Sequence, residues 1–311
     1  VIGRRSFLAA LAVANCTRRD REAEGAPPPP ATKLPEMPPP DAGVGPRGKV
    51  GTSTWTFDGG GRAIVVVPTW QKPDEKLPVL FALHGRGEAN KGPELGVMGW
   101  PRDYALLRAI ERVCMPPLTS TDYEGFFDPK RLADTNADLE KSPFRGMVVV
   151  CPYSPDVDLR KPAQLRAYGD YLVGSVLPRV KKELPVLGTP ASTGIDGVSL
   201  GGALALRIGL GNPELFGAVG SLQAAIGEDQ VTDFTELAKS ARARNASLQL
   251  RLLTSTEDYF KSAITHASQA WRSAGVAHDF AVVPGPHDYP FNRGPGAIEM
   301  LLWHDRRLAR A

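Results

Sequence analysis

The pentapeptide Gly197-Val198-Ser199-Leu200-Gly201 confines this chain to few architectures, because G-x-S-x-G is the pattern of a serine held at a sharp turn between a strand and a helix. A serine on such an elbow crowds the backbone around it, so the positions two before and two after must lack side chains, and Gly197 and Gly201 meet that demand. Upstream, Gly194 to Val198 is short and flanked by turn formers, as a buried strand is. Downstream, Ala203 to Gly211 has a helix-forming composition around Leu204, Leu206 and Ile208. A chain with 32 glycines offers the pattern by accident more readily than most, so the partners of Ser199 must decide.

A serine hydroxyl is a weak nucleophile until a histidine takes its proton, and the histidine is oriented in turn by a carboxylate. Five histidines are available. His266 falls in a predicted helix, His304 in the last helix and His278 at the start of a predicted strand, positions that suit structural or solvent-facing side chains. His84 ends the apolar run Val79 to Leu83 and precedes Gly85-Arg86-Gly87, which reads as a loop that builds an oxyanion hole; shaping that loop is its expected work. His287 lies in Pro284-Gly285-Pro286-His287-Asp288-Tyr289, after a strand and before a helix, where a general base belongs. For the acid, the alternating stretch Leu248 to Leu253 runs into Thr254-Ser255-Thr256-Glu257-Asp258, which puts Asp258 just past a strand's carboxyl end. Catalytic groups of open α/β sheets gather outside those ends, so Ser199, Asp258 and His287 are expected in one crevice. Glu257, adjacent and equally charged, is the main rival, and Asp288 competes from the histidine loop.

Val50 to Phe57 and Ala63 to Val67, separated by Asp58-Gly59-Gly60-Gly61, read as an antiparallel hairpin. Strands then follow at Val79 to Leu83, Met147 to Cys151, Gly194 to Val198, Ala218 to Leu222, Leu248 to Leu253 and Phe280 to Val283. Helices are expected near Arg102 to Val113, Ala163 to Lys182, Ala203 to Leu210, Ser262 to Ala274 and Ala297 to Leu308. This alternation predicts an α/β fold, a mostly parallel sheet with helices on both faces. Gly85 to Gly146 is the long irregular part. Its Trp100, Tyr123, Phe126 and Phe127 either line an acyl pocket or pack on the sheet, and packing is the commoner role.

The chain resembles the esterase branch of the α/β hydrolases that includes esterase D, feruloyl and acetylxylan esterases, siderophore esterases and mycolyltransferases. The resemblance spans roughly Lys76 to Leu308 and is carried by Leu83-His84-Gly85, Gly197 to Gly202, Thr256-Glu257-Asp258-Tyr259-Phe260 and Gly285-Pro286-His287-Asp288-Tyr289. It implies the α/β-hydrolase fold and cleavage of carboxylic esters through an acyl-enzyme. In that scheme Ser199 is the nucleophile, His287 the base and Asp258 the acid, and the backbone N–H groups of Leu200 and Arg86 hold the oxyanion. Pro286 stands where the family commonly has glycine, and Tyr289 where it commonly has tryptophan. Acyl transfer or peptide hydrolysis on the same fold, or a binding protein that keeps the fold without catalysis, are the alternatives; a binding module has no use for the three residues.

The first fifty residues differ from the rest. Gly3-Arg4-Arg5-Ser6-Phe7-Leu8 followed by Ala9 to Ala14 has the basic start and short apolar core of an export signal over residues 1–15, and it resembles a twin-arginine signal. Leu11 to Cys16 resembles a bacterial lipoprotein lipobox, in which Cys16 is lipidated and anchors the protein to a membrane. Asn15 departs from the small residue usual there, and an unmodified cysteine near a conventional cleavage site is the alternative. Thr17 to Lys49 contains nine prolines, so residues 16–49 read as a disordered, semi-extended tether and 50–311 as the catalytic domain. The expected location is exported, periplasmic or at the cell surface.

Loss of residues 1–15 removes Arg4 and Arg5 and lowers the formal charge from +3 to +1. With no aromatic-interleaved basic stripe, nucleic acid is not an expected partner; a small-molecule or polysaccharide-linked ester is. No Cys or His cluster has metal-ligand spacing and no phosphate loop is present, so neither metal nor cofactor is expected. Cys114 and Cys151 either pair or remain buried thiols.

Overall fold

Eight strands form one sheet in the order β1-β2-β4-β3-β5-β6-β7-β8: β1 Val50–Thr56, β2 Arg62–Pro68, β3 Val79–Leu83, β4 Val148–Pro152, β5 Thr193–Gly197, β6 Ala218–Val219, β7 Gln249–Glu257 and β8 Asp279–Pro286. The computed structural model describes residues 33–39 and 43–310, so the expected export signal and Cys16 lie outside the described residues. The β1–β2 hairpin is antiparallel with Thr56 opposite Arg62, and β2 runs antiparallel to β4. From β4 onward every neighbouring pair is parallel. Gly59 and Gly60 close the hairpin at φ 76° and 86°, the left-handed region that glycine enters without strain. The fold class is the expected one.

The central strands are buried on both sides, so their side chains alternate between two apolar layers. Val79, Phe81 and Leu83 of β3 join Val148 and Val150 of β4 and Ile195 of β5 in one layer, covered by helices at Leu200–Gly211, Val231–Arg244 and Lys261–Ser273. Leu80 and Ala82 join Val149, Cys151 and Leu253 in the other, covered by helices at Leu106–Cys114 and Ala297–Arg307. The helix Leu200–Gly211 is apolar nearly all round because it lies in the interior, directly behind the elbow.

Three details depart from the sequence reading. The strand expected over Ala218 to Leu222 is regular only at Ala218–Val219 and returns as isolated bridges at Leu222; between them the buried carboxylate of Asp196 lies against Gly220 and leaves no room for a side chain. The helix expected over Ala163 to Lys182 is Pro162–Tyr171 and Leu177–Glu183 joined by a π-helical turn, Leu172–Val176; Pro178 supplies no N–H to continue the α-helical ladder. The helices Pro129–Lys141 and Val231–Arg244 were not expected. The first buries only Leu139, so it carries almost no apolar period, and its signal is the Asp128 cap, which accepts from Arg131 N at 2.8 Å. In the second, the buried stripe of Val231, Phe234, Thr235, Ala238 and Ala241 has helical spacing but little apolar bulk.

Within the stretch read as a tether, Pro35 O accepts from Thr52 N at 2.8 Å and Met37 N donates to Thr52 O at 3.2 Å. A short parallel rung therefore covers the outer edge of β1, whose backbone groups would otherwise lack partners.

Candidate active site

Ser199 adopts φ 57° and ψ −121°, a conformation that a non-glycine residue takes only where its surroundings hold it. Those surroundings are backbone: Ser199 N donates to Leu222 O at 3.0 Å, and Ser199 O accepts from Ala203 N at 3.1 Å and Ala225 N at 2.9 Å. A Cβ at Gly197 would lie 2.5 Å from the backbone of Gly201, and one at Gly201 would run into the carbonyl oxygens of Leu83 and His84. Both glycines of the motif are thus required by the close passage of helix against strand. The elbow leaves the Ser199 hydroxyl at the carboxyl end of the sheet.

His287 Nε2 lies 3.0 Å from Ser199 Oγ, and His287 Nδ1 lies 2.7 Å from Asp258 Oδ1. The Asp258 carboxylate is buried and fully occupied: Oδ1 also accepts from Phe260 N at 3.0 Å, and Oδ2 accepts from the Thr254 hydroxyl at 2.6 Å. These bonds fix its orientation. Glu257 is exposed, and Asp288 Oδ1 instead accepts from Phe291 N at 3.2 Å, capping the turn Tyr289–Phe291. Ser199, His287 and Asp258 therefore form one chain of contacts from which both rival carboxylates are absent. The His287 ring packs against two neighbouring aromatics, Tyr259 at 5.0 Å and Phe260 at 5.5 Å between centroids, which themselves meet at 6.5 Å. Gln223, which the sequence reading missed, steadies the same loop by donating from Nε2 to Pro286 O at 2.8 Å.

The His84–Gly87 loop stands beside Ser199, since a Cβ on Gly85 would lie 3.5 Å from Ser199 Cβ. His84 is buried. Its Nε2 lies 2.9 Å from Ser154 N and accepts that proton, so Nδ1 carries its own and donates to Gly85 O at 3.0 Å. Burial pushes the imidazole down to about 4, which keeps it neutral and in this tautomer at ordinary pH. Fixing the Gly85 carbonyl fixes the whole planar peptide, and with it the N–H of Arg86 on the opposite side. Arg86 opens the short helix Arg86–Ala89 and Leu200 opens Leu200–Gly211, so neither first-turn N–H has an intrahelical acceptor. Two helix N-termini thus present free donors beside the serine.

The remaining histidines are engaged elsewhere. His266 Nδ1 lies 2.8 Å from Glu228 on the surface, and His278 bridges Ser268 and Val276 O. His304 is buried, with Nε2 3.0 Å from Asp196 Oδ2, which also accepts from Arg251 at 2.8 Å. This interior group under β5 is another the sequence reading missed. Its only sequence trace is an aspartate inside a strand. Trp100 is a buried packing residue, whereas buried Tyr123 and half-buried Phe126 and Phe127 line a small cavity with Val283 and Pro284. Cys114 and Cys151 are buried free thiols; burial pushes Cys114 up to about 11 and Cys151 upward as well.

The family model described as "Putative esterase" matches residues 59–290, most of the chain. The chain belongs to this esterase family. It is a carboxylic ester hydrolase of the serine type. Solved structures agree on the fold: a ferulic acid esterase superposes with TM-score 0.62 at 19% identity, covering 84% of this chain and 98% of its own. The S-formylglutathione hydrolase of Staphylococcus aureus gives TM-score 0.57 at 14% identity, covering 83% and 98%. The enterobactin esterase of Shigella flexneri gives 0.54 at 17%, covering 89% of this chain and 61% of its own. No curated protein sequence matches the chain. Among the described residues of the esterase, no helix is long and apolar enough to cross a membrane.

Proposed function

We propose that the esterase cleaves carboxylic esters through a covalent acyl-serine at Ser199, with His287 as general base and Asp258 as the carboxylate that orients it. The observation that carries this reading is the unbroken contact chain from Ser199 Oγ to His287 Nε2 at 3.0 Å and from His287 Nδ1 to Asp258 Oδ1 at 2.7 Å. Ser199 Oγ attacks the ester carbonyl carbon while His287 Nε2 takes the hydroxyl proton, and the carbonyl oxygen becomes an oxyanion held by the N–H groups of Leu200 and Arg86. Collapse of the tetrahedral adduct breaks the bond to the alcohol oxygen, which leaves with the proton from His287. Water, deprotonated by the same nitrogen, then releases the acid and restores Ser199.

The substrate is a small-molecule or polysaccharide-linked ester, a reading supported by the names of the structural neighbours, which act on ferulate and enterobactin esters. Tyr259 adds to it: the ring is 73% exposed beside His287 and offers a stacking surface for an aromatic or sugar ring at the mouth of the site. Export rests on the basic-then-apolar start of the sequence, and anchoring on Cys16. A panel of short, long and aromatic acyl esters, run with a fluorophosphonate label, tests the reading. Turnover and labelling that both vanish in Ser199→Ala are expected; a wild type that neither turns over nor labels contradicts it.

A further inference from the structure

Beneath the site lies a buried polar group that the proposed chemistry does not use. Glu88, 1% exposed, accepts from the hydroxyls of both Tyr104 and Tyr289, the latter at 2.6 Å. Lys91 Nζ reaches Glu88 at 3.4 Å, the Tyr289 hydroxyl at 2.9 Å and Asp103 at 3.0 Å, and Arg102 pairs with Asp103 at 2.7 Å. Two buried carboxylates are thus balanced by two partly exposed cations. Burial nevertheless pushes the Glu88 carboxyl upward, as expected for a charge withdrawn from solvent. Removing one partner of such a group leaves a buried charge uncompensated, so its contacts hold their geometry firmly.

The two tyrosines lead to two different parts of the site. The Tyr104 hydroxyl accepts from Gly85 N at 3.3 Å, so the Gly85 residue is held at its N–H by Tyr104 and at its carbonyl by His84. Tyr289 follows His287 by two residues, and its ring packs on Tyr104 at 5.7 Å between centroids. Glu88 itself belongs to the short helix whose first N–H is that of Arg86. One carboxylate is therefore the common reference for the loop that carries the oxyanion donor and the loop that carries the base.

Resting on the triad reading above, we propose that Glu88 is a positioning residue for ester cleavage, holding the Arg86 N–H through Tyr104 and His287 through Tyr289. Misplacement of either group by a fraction of an ångström slows the chemical step without weakening substrate binding. Tyr289, where the family commonly has tryptophan, then supplies the hydroxyl that this link requires.

The test compares an ester with its thionoester, whose larger, softer sulfur gains little from oxyanion donors, in Glu88→Gln, Tyr104→Phe and Tyr289→Phe. Tyr104→Phe and Glu88→Gln are expected to lower kcat for the ester by about 10- to 100-fold with KM nearly constant, and to narrow the ester-to-thionoester ratio of kcat/KM. Tyr289→Phe is expected to slow both substrates equally, since it loosens only the base. Melting temperatures of the two phenylalanine variants should stay within a few degrees of wild type. Full ester kcat in Tyr104→Phe, an unchanged ratio in Tyr104→Phe and Glu88→Gln, or losses that only follow the folded fraction would overturn the proposal. A wild type that takes no fluorophosphonate and cleaves no ester would instead remove the functional reading beneath it.

Discussion

Asp258 meets His287 Nδ1 at 2.7 Å, while Glu257, its immediate neighbour and chemical equal, is turned out to solvent. The strand β7 ends at Glu257 with its side chain exposed, and Asp258, the first residue past the strand, is turned inward and held there by the Thr254 hydroxyl and Phe260 N. Asp258→Asn should lower kcat by about a thousandfold or more, because the amide no longer stabilises the imidazolium and favours the wrong tautomer. Glu257→Gln should stay within about twofold, as a solvated surface change does. Steady-state kinetics on one ester decide it, and a reversal of the two effects reassigns the acid.

The elbow glycines predict a steric outcome. A Cβ on Gly201 meets backbone oxygens of Leu83 and His84, atoms that move only if β3 and the His84–Gly87 loop move. Gly201→Ala should therefore destabilise the fold by about 1–3 kcal/mol, the usual cost of overpacking, and depress kcat more than KM. Urea midpoints alongside kinetics check this; a variant with wild-type stability and rate contradicts the packing argument.

The buried His84 makes stability depend on pH. Its folded pKa is pushed down to about 4 from an ordinary value near 6.5, so the unfolded chain binds the proton first as the solution is acidified. The stabilisation is complete above about pH 6.5 and is lost as pH falls toward 4, about 3 kcal/mol over that window at roughly 1.4 kcal/mol per unit. His304, buried beside Asp196 and also shifted downward by burial, acts in the same direction. Melting temperature followed from pH 7 to pH 4 should fall, and the fall should be shallower in His84→Asn. Equal slopes in the two proteins would mean that His84 titrates normally.

What could be read from the sequence was what local spacing encodes. Gly197, Ser199 and Gly201 lie within five residues, and Asp258 and His287 each end a strand with its own period, so these contacts were legible. The parallel order of β3 to β8 follows from the alternation of strands with helices. Glu88 was not legible, because its partners Tyr104 and Tyr289 lie 16 and 201 residues away and no repeat or motif links them. The same holds for Arg251 and His304 on Asp196, which are 55 and 108 residues from it. Buried polar partners are chosen by the folded packing of distant elements, and a local pattern carries no trace of that choice. The need for glycine at position 220 has the same origin, since the carboxylate of Asp196 on the neighbouring strand fills the space of a side chain there.

Mass mapping identifies the residue that carries the covalent intermediate, which is Ser199 in the mechanism proposed above. Wild-type protein treated with a fluorophosphonate and digested should gain one phosphonyl mass, on the peptide containing Ser199, with no adduct in Ser199→Ala. An adduct on any other residue, or an unmodified Ser199 peptide from an enzyme that has lost its esterase activity to the reagent, would contradict the account.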